Sequence, residues 1–165
     1  MIEGKWDGVL LYRGNTAHDP CRLNGAASEF FEKTGLPPQN VLKMPSGKPY
    51  FPGGEWHLSP SHTGDEYAVA FAPYPIGLDL ERDGVEKSRV AEKYFTEEEK
   101  KLPFSLVWTA KEAVSKISGE GLSAVGKIYL SGDGAEAEKD GEKYEIFSVV
   151  ESGVRTTLAR RKRNQ

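Results

Sequence analysis

The chain has 165 residues, of which 38% are hydrophobic and 28% charged, and its net charge is −3. This composition predicts one globular domain over residues 1–165, while the acidic balance argues against bulk binding to nucleic acid. No apolar run is long enough to cross a membrane, and the single cysteine, Cys21, excludes an internal disulfide, so we expect a cytoplasmic protein.

The first half of the chain, up to residue 74, alternates short apolar runs with segments rich in glycine and proline. In order, it predicts a strand at 8–12, a loop at 13–25, a helix at 26–33, a loop at 46–52 and a strand at 67–71. The segment 56–61 is ambiguous, and 62–65 has the composition of a turn. The Pro-Tyr-Pro bend at 73–75 predicts a hairpin between strand 67–71 and the strand that follows it.

That next strand carries two acidic side chains. Asp79 and Glu81 alternate with two leucines in the stretch 75–81, which is the period of a strand with one buried face. Both carboxylates then leave the same face, roughly 7 Å apart. Because like charges repel, this arrangement is unfavourable unless a cation lies between them. The stretch is therefore a candidate part of a metal site, and the alternative is an exposed polar edge.

The second half, from residue 75, continues with helices and then more strands. In order, it predicts helices at 87–94 and 105–118 and strands at 127–130, 142–150 and 154–159. Thr96 and Glu99 have the spacing of a capping box, which marks a helix start between the two helices. Gly119 and Gly121 end the longer helix. Strands on both sides of a helical block predict an α+β domain of antiparallel strands packed by helices.

The longer helix carries two stripes of different character. Its apolar stripe, which we assign to the core, comprises Val107, Ala110, Val114 and Ile117. The neighbouring stripe comprises Trp108, Glu112 and Lys116. Taken alone, Glu112 and Lys116 would be a surface ion pair contributing about 0.3–0.5 kcal/mol. Together with Asp79 and Glu81, Glu112 could complete a site for Mg²⁺ or Mn²⁺, and Lys116 could neutralise a bound phosphate.

Five motifs of the chain resemble those of the 4′-phosphopantetheinyl transferases and occur in the same order along the sequence. Three of them are Gly-Leu-Asp-Leu-Glu at 77–81, Phe95 followed by the glutamates at 97–99, and Trp-Thr-Ala-Lys-Glu-Ala at 108–113 followed by Lys116. Upstream, Gly-Lys-Pro-Tyr at 47–50 and Ser-His-Thr-Gly at 61–64 resemble two motifs of the longer, surfactin-synthetase type of that family. The resemblance is dense over 47–122 and loose elsewhere.

The resemblance implies an enzyme that moves the phosphopantetheine arm of coenzyme A onto a serine of an apo acyl or peptidyl carrier protein, releasing adenosine 3′,5′-bisphosphate. By similarity, Asp79, Glu81 and Glu112 would hold Mg²⁺, which bridges the diphosphate of coenzyme A. The base would be Glu112 or a glutamate of 97–99, acting directly or through water. Lys116 would offset charge on the leaving phosphate or donate a proton to it.

The upstream motifs imply contacts with the nucleotide side of coenzyme A. These contacts would come from Lys48 and Pro49 and from Ser61 and His62, with His62 and the Ser61 hydroxyl meeting phosphate oxygens. Lys116, outside these motifs, would join them. Without the resemblance, Lys48 would be a solvated loop lysine and His62 a turn histidine facing water. Trp108 is expected to pack beside the site rather than to contact ligand.

The family fold consists of two similar α+β halves with the site at their junction, so we expect a trimmed pseudodimer with halves at about 1–74 and 75–165. The expected state is a monomer, although single-half relatives form trimers. Ser59 stands where the family commonly has asparagine. The short first half also lacks the basic segment that helps to hold the 3′-phosphate, and the candidate substitutes are Arg13, Arg22 and His18.

Two other functions compete with the active transferase. The first is a degenerate relative that binds coenzyme A or a carrier protein without transfer, which the short first half would permit. The second is a metal-dependent nuclease, because two acids with a glutamate and a lysine can also orient a scissile phosphate. The acidic balance, without a basic and aromatic groove, disfavours the nuclease.

Overall fold

The structure is a computed structural model that describes residues 2–3, 8–15 and 19–163. In chain order, the strands are β1 (Ile2–Glu3), β2 (Leu10–Gly14), β3 (Leu42–Lys43), β4 (Pro49–Tyr50), β5 (His57–Thr63), β6 (Glu66–Ala72), β7 (Ile76–Arg82), β8 (Tyr129–Leu130), β9 (Glu136–Lys139), β10 (Glu142–Glu151) and β11 (Val154–Arg161). The helices are α1 (Arg22–Thr34), α2 (Ser88–Tyr94), α3 (Phe104–Ser118) and α4 (Leu122–Val125), and a 3₁₀ turn spans Glu99–Lys101.

The strands form two antiparallel sheets and a short ribbon. The first sheet has the order β1-β2-β6-β5, the second has the order β7-β11-β10-β9-β8, and β3 pairs with β4 alone. The first sheet and α1 come from the first half of the chain, and the second sheet and α3 come from the second half. The predicted α+β class with antiparallel strands packed by helices is confirmed.

An aromatic cluster forms the core between α1 and the first sheet. Phe30 of α1 stacks on Phe71 of β6 with ring centroids 4.5 Å apart, and Phe51 stacks beside both. All three rings are buried. Gly35 ends α1 in the left-handed conformation, with φ of 68°.

In the second half, α3 packs its apolar stripe on the second sheet. The four residues of the stripe at positions 107, 110, 114 and 117 are buried, as the sequence predicts. The closest approach is at Gly77 of β7, where a Cβ would lie only 1.7 Å from the carbonyl oxygen of Ala113. Only glycine allows backbone to approach backbone this closely. This contact fixes α3 against β7 two residues before Asp79.

The two halves meet face to face and also edge to edge. Leu11 and Ala70 of the first sheet share a buried cluster with Leu78 of the second. At the edge, β5 and β7 belong to different sheets but lie side by side. Here Ser59 Oγ accepts the backbone N–H of Leu78 at 3.0 Å. The strand that carries the Ser-His-Thr-Gly motif therefore lies beside the strand that carries Asp79 and Glu81.

The predicted hairpin between 67–71 and the following strand is wrong. β6 pairs with β2 and β5, whereas β7 pairs with β11 in the other sheet. Pro73 and Pro75 remove two backbone donors at the crossover, which suits a change of sheet as well as a tight turn. The hairpin that forms is β5–β6, with Gly64 at φ of 55° in its turn. His62 and Thr63 consequently belong to β5 and not to a turn.

Other elements also differ from the prediction. α1 begins at Arg22, inside the predicted loop 13–25, where Asp19 Oδ1 accepts the backbone N–H of Cys21 at 2.8 Å. The capping box at Thr96 forms, but only a 3₁₀ turn follows, because Leu102 precedes a proline and is extended. Strands β1, β3, β4 and β9 and helix α4 were not predicted, and β4 lies inside the predicted loop 46–52. Within the described part of the chain, no helix combines the length and the hydropathy that a membrane span requires.

Candidate active site

The Asp79 side chain lies in the junction between the two halves and is 11% exposed. Its Oδ1 accepts two hydrogen bonds, one at 2.9 Å from Ser61 Oγ of β5 and one at 2.8 Å from Lys116 Nζ of α3. The sequence predicts a strand with one buried face, but β7 is buried on both faces as far as Leu80. The Asp79 carboxylate is therefore fixed by hydrogen bonds from two other elements and is not part of an exposed polar edge.

Lys116 connects three elements through its ammonium group. Besides Asp79, its Nζ donates to the carbonyl oxygen of Leu78 at 2.9 Å and to that of Pro60 at 3.5 Å. An ammonium has three N–H donors, so these acceptors match its capacity. The helical spacing of Glu112 and Lys116 predicts a pair between those two, whereas the ammonium reaches over β7 to Asp79. It can do so because α3 lies so close to this strand at Gly77.

Glu112 is half-buried on the same side of α3. Burial raises the pKa of its carboxyl group, and the negative charge of Asp79 raises it further. The positive charges of Lys116 and Lys87 act in the opposite direction. The structure therefore brings Glu112 and Asp79 within electrostatic reach of each other, as the sequence predicts.

Glu81 is the outermost of the three carboxylates. Its Oε2 forms an ion pair at 2.6 Å with Lys87 Nζ, just before α2. Among the described residues, no three histidine, cysteine, aspartate or glutamate side chains converge closely enough to hold a metal ion. Instead, the repulsion among the carboxylates is offset by Lys87 and Lys116. Three carboxylates are oxygen ligands of the kind that Mg²⁺ takes, so the donor set fits this ion in its chemistry.

The glutamates at 97–99 divide into two kinds. Glu97 and Glu98 are exposed and form ion pairs with nearby surface lysines. Glu99 is buried and its Oε2 lies 2.8 Å from Nζ of Lys111, whose side chain is fully buried. Glu99 is therefore enclosed and unsuited to take a proton from a substrate. Lys111 lies in a predicted motif without an assigned role, although its i, i+4, i+7 spacing with Val107 and Val114 places it on the core face.

All five side chains assigned to coenzyme A line two adjoining clefts. The first cleft, of about 250 Å³, lies between the β3–β4 turn and the end of α3 and includes Lys48, Pro49 and Lys116. The second, of about 310 Å³, includes Pro49, Ser61 and His62. Gly47, Pro49 and Pro60 line both clefts. The upstream motifs and the carboxylate site are thus parts of one region.

Within these clefts, Lys48 is not a free loop lysine. Its Nζ donates to the carbonyl oxygen of Ile117 near the C-terminus of α3, where a positive charge interacts favourably with the helix dipole. Burial lowers the pKa of its ammonium group. His62 is exposed on β5, and the Ser61 hydroxyl is directed at Asp79. Trp108 packs against Tyr94 and Phe104, beside the site as predicted.

Of the basic residues considered for the 3′-phosphate, Arg22 reaches the second cleft, together with Lys43. Its guanidinium lies 4.9 Å from the centre of the Tyr67 ring. Burial raises the pKa of Tyr67 to about 12, and the positive charge of Arg22 acts to lower it. Arg13 instead donates to Thr156 Oγ1 at 2.6 Å and does not line this cleft. His18 lies outside the described residues.

Comparison with known proteins supports the resemblance that the motifs carry. Residues 75–138 match the model of the 4′-phosphopantetheinyl transferase superfamily. The matched segment begins just before β7 and contains Asp79, Glu81, Glu112 and Lys116. The predicted resemblance to this superfamily is confirmed.

A second match identifies a particular relative. The chain is 30% identical over 100 residues to the 4′-phosphopantetheinyl transferase gsp of Aneurinibacillus migulanus. This match supports the predicted resemblance to the surfactin-synthetase type. The match covers 53% of this chain and 42% of the relative. The chain therefore spans less than half the length of the curated relative it matches.

Proposed function

We propose that this protein transfers the 4′-phosphopantetheine arm of coenzyme A to a serine of an apo carrier protein in a Mg²⁺-dependent reaction. One observation carries the proposal: Asp79, Glu112 and Lys116, all within the family-matched segment, meet at the edge of clefts formed by the upstream motifs. The relative that matches over 100 residues is named for the same transfer.

In the proposed reaction, the serine oxygen forms a bond to the phosphorus that carries the pantetheine arm, and the bond from that phosphorus to the nucleotide phosphate breaks. Mg²⁺, held by Asp79, Glu81 and Glu112, would supply positive charge to the diphosphate. Glu112 would take the serine proton, directly or through water. Lys116 offsets the charge that develops on the leaving phosphate.

The two clefts would hold the nucleotide part of coenzyme A. We assign Lys48, Pro49 and Lys116 to the first cleft and His62 to the second, as the resemblance implies. Arg22 and Lys43, which line the second cleft, would supply positive charge for the 3′-phosphate. We also propose that the two α+β halves, at about 1–74 and 75–165, form a trimmed pseudodimer within one domain and that the protein is a monomer. The cytoplasmic location stays a prediction.

The direct test is to incubate the protein with Mg²⁺, coenzyme A and a panel of apo carrier proteins and to detect the added arm by mass spectrometry. We expect at least one carrier to gain the arm only when Mg²⁺ is present. A folded protein that modifies no carrier across a broad panel, yet binds coenzyme A, would support the inactive relative instead. Cleavage of nucleic acid without carrier modification would support the nuclease.

Asp79→Asn is the matched variant for this assay. The amide can still accept hydrogen bonds from Ser61 and Lys116, but it lacks the negative charge that a metal ligand needs. We expect transfer to fall below detection while the melting temperature changes little. Full activity of the variant would refute the assignment of Asp79 as a metal ligand.

A further inference from the structure

The Ser61 hydroxyl has a defined direction in this structure. The side chain is buried, and its Oγ accepts the backbone N–H of Leu80 at 3.1 Å and lies 2.9 Å from Asp79 Oδ1. A backbone N–H can only donate, so the hydroxyl hydrogen is available for the carboxylate, which can only accept when ionised. Ser61 therefore donates to Asp79, and the hydrogen bond is assisted by the negative charge.

Ser59, two residues earlier on the same strand face, provides a natural comparison. It is also buried, and its Oγ accepts the backbone N–H of Leu78 at 3.0 Å. The two serines therefore accept the backbone N–H groups of two alternate residues of β7 from a strand of the other sheet. Of these two hydroxyls, that of Ser61 is the one bonded to Asp79.

We propose that Ser61 is a positioning residue that holds the Asp79 carboxylate for Mg²⁺, so that a strand of the first half sets the metal affinity of the second half. This inference rests on the proposed metal set of the transferase. It gives Ser61 a role different from the phosphate contact that the resemblance implies. Hydrogen bonds from such supporting groups fix the orientation of a ligand, and their removal weakens metal binding by about 10–100-fold.

The test measures binding of Mn²⁺ alone to the full chain by electron paramagnetic resonance, without coenzyme A or carrier. Ser61→Ala is expected to weaken Mn²⁺ binding by about tenfold or more, in line with other supporting groups. Ser59→Ala is the matched control, because it removes an equivalent bond to β7 but no contact with Asp79. We expect it to lower the melting temperature to a similar degree and to leave the Mn²⁺ affinity unchanged.

If Ser61→Ala does not fold, the isosteric pair Ser61→Thr and Ser61→Val replaces it, since both suit a strand and differ only in the hydroxyl. Only the valine variant should lose Mn²⁺ affinity. Equal Mn²⁺ binding by Ser61→Ala and the unchanged protein, with a raised KM for coenzyme A, would assign Ser61 to the phosphate and overturn the inference. Loss of Mn²⁺ affinity in Ser61→Ala, in a protein that modifies no carrier, would uphold the positioning role while refuting the transferase.

Discussion

Helix α3 carries two lysine–carboxylate pairs that have the same chemistry but different surroundings. Lys111 pairs with Glu99 and Lys116 pairs with Asp79, and in both pairs the nitrogen and oxygen are 2.8 Å apart. The Lys111 and Glu99 side chains are 0% and 2% exposed, whereas those of Lys116 and Asp79 are 29% and 11% exposed. We call them the closed pair and the open pair.

The two pairs differ in accessibility and not in residue type, so the same chemistry is enclosed in one place and open to a ligand in the other. In the closed pair, the Lys111 ammonium also donates to the carbonyl oxygens of Tyr94 and Ile128, so its donors are used within the core. In the open pair, Lys116 lines a cleft and stays within reach of a ligand. Burial lowers the pKa of Lys111, while Glu99 partly restores it.

The largest expected effect comes from Gly77→Ala, which would break the open pair by forcing α3 away from β7. The added Cβ would lie 1.7 Å from the backbone oxygen of Ala113, and no side-chain rotation can relieve a clash with backbone. We expect unfolding to become easier by more than about 3 kcal/mol, at or beyond the upper end for overpacking. Chemical denaturation followed by circular dichroism measures this.

Gly25→Ala is the control for that experiment, because it makes the same chemical change in α1, where a Cβ meets no atom within 4 Å. Alanine has a higher helix propensity than glycine, so this variant should gain up to about 1 kcal/mol. A Gly77→Ala protein with unchanged stability would show that α3 and β7 can separate freely. The geometry of the open pair would then not depend on their contact.

The next largest effect is expected from Lys111→Met, which removes one partner of the closed pair. Glu99 would be left as a buried charge without its cation, and this typically costs about 3–5 kcal/mol. Lys116→Met is the matched variant in the open pair, and it should change the free energy of unfolding by only about 1 kcal/mol because its surroundings reach solvent. Its main effect should be on transfer activity.

A double variant, Lys111→Met with Glu99→Leu, sharpens this test. Replacing both charges of a buried pair with apolar groups is often neutral or stabilising, so we expect part of the lost stability to return. The return is incomplete because the backbone N–H groups of Thr96 and Leu130 lose their bonds to Glu99, and two backbone carbonyls lose their bonds to Lys111. The reverse ranking, with Lys116→Met less stable than Lys111→Met, would contradict the distinction between a closed and an open pair.

Much of the carboxylate site around the open pair could be predicted from periodicity. A strand period separates Asp79 from Glu81, and a helix period places Glu112 and Lys116 on one side of α3. What the sequence could not give was the partner of Lys116, because i, i+4 spacing is a local rule. The pairing with Asp79 depends on the close contact of Gly77 with Ala113, which is a tertiary feature.

The closed pair and the change of sheet illustrate two different failures. A signal for Lys111 existed in its spacing with core residues, but a lysine on an apolar stripe is easily assigned to the surface. Between β6 and β7, the Pro-Tyr-Pro segment at 73–75 correctly predicts a bend. Local turn chemistry does not determine whether the following strand returns to its neighbour or enters another sheet, so the hairpin was predicted wrongly.

The smallest effect, from Thr96→Ala, tests whether the closed pair or its local turn stabilises this region. Thr96 Oγ1 accepts the backbone N–H of Glu99 at 3.2 Å, and Glu99 in return accepts the backbone N–H of Thr96 at 2.9 Å. The substitution removes only the first bond and should cost about 1 kcal/mol, the usual value for a cap. Thr96→Ser, which keeps the hydroxyl, should unfold like the unchanged protein in the same denaturation experiment.

Because the ion pair of Glu99 with Lys111 survives, Thr96→Ala should also transfer normally. If instead Thr96→Ala cost as much as Lys111→Met, the turn at 96–101 would be the stabilising element, and the buried ion pair would be only a consequence of it.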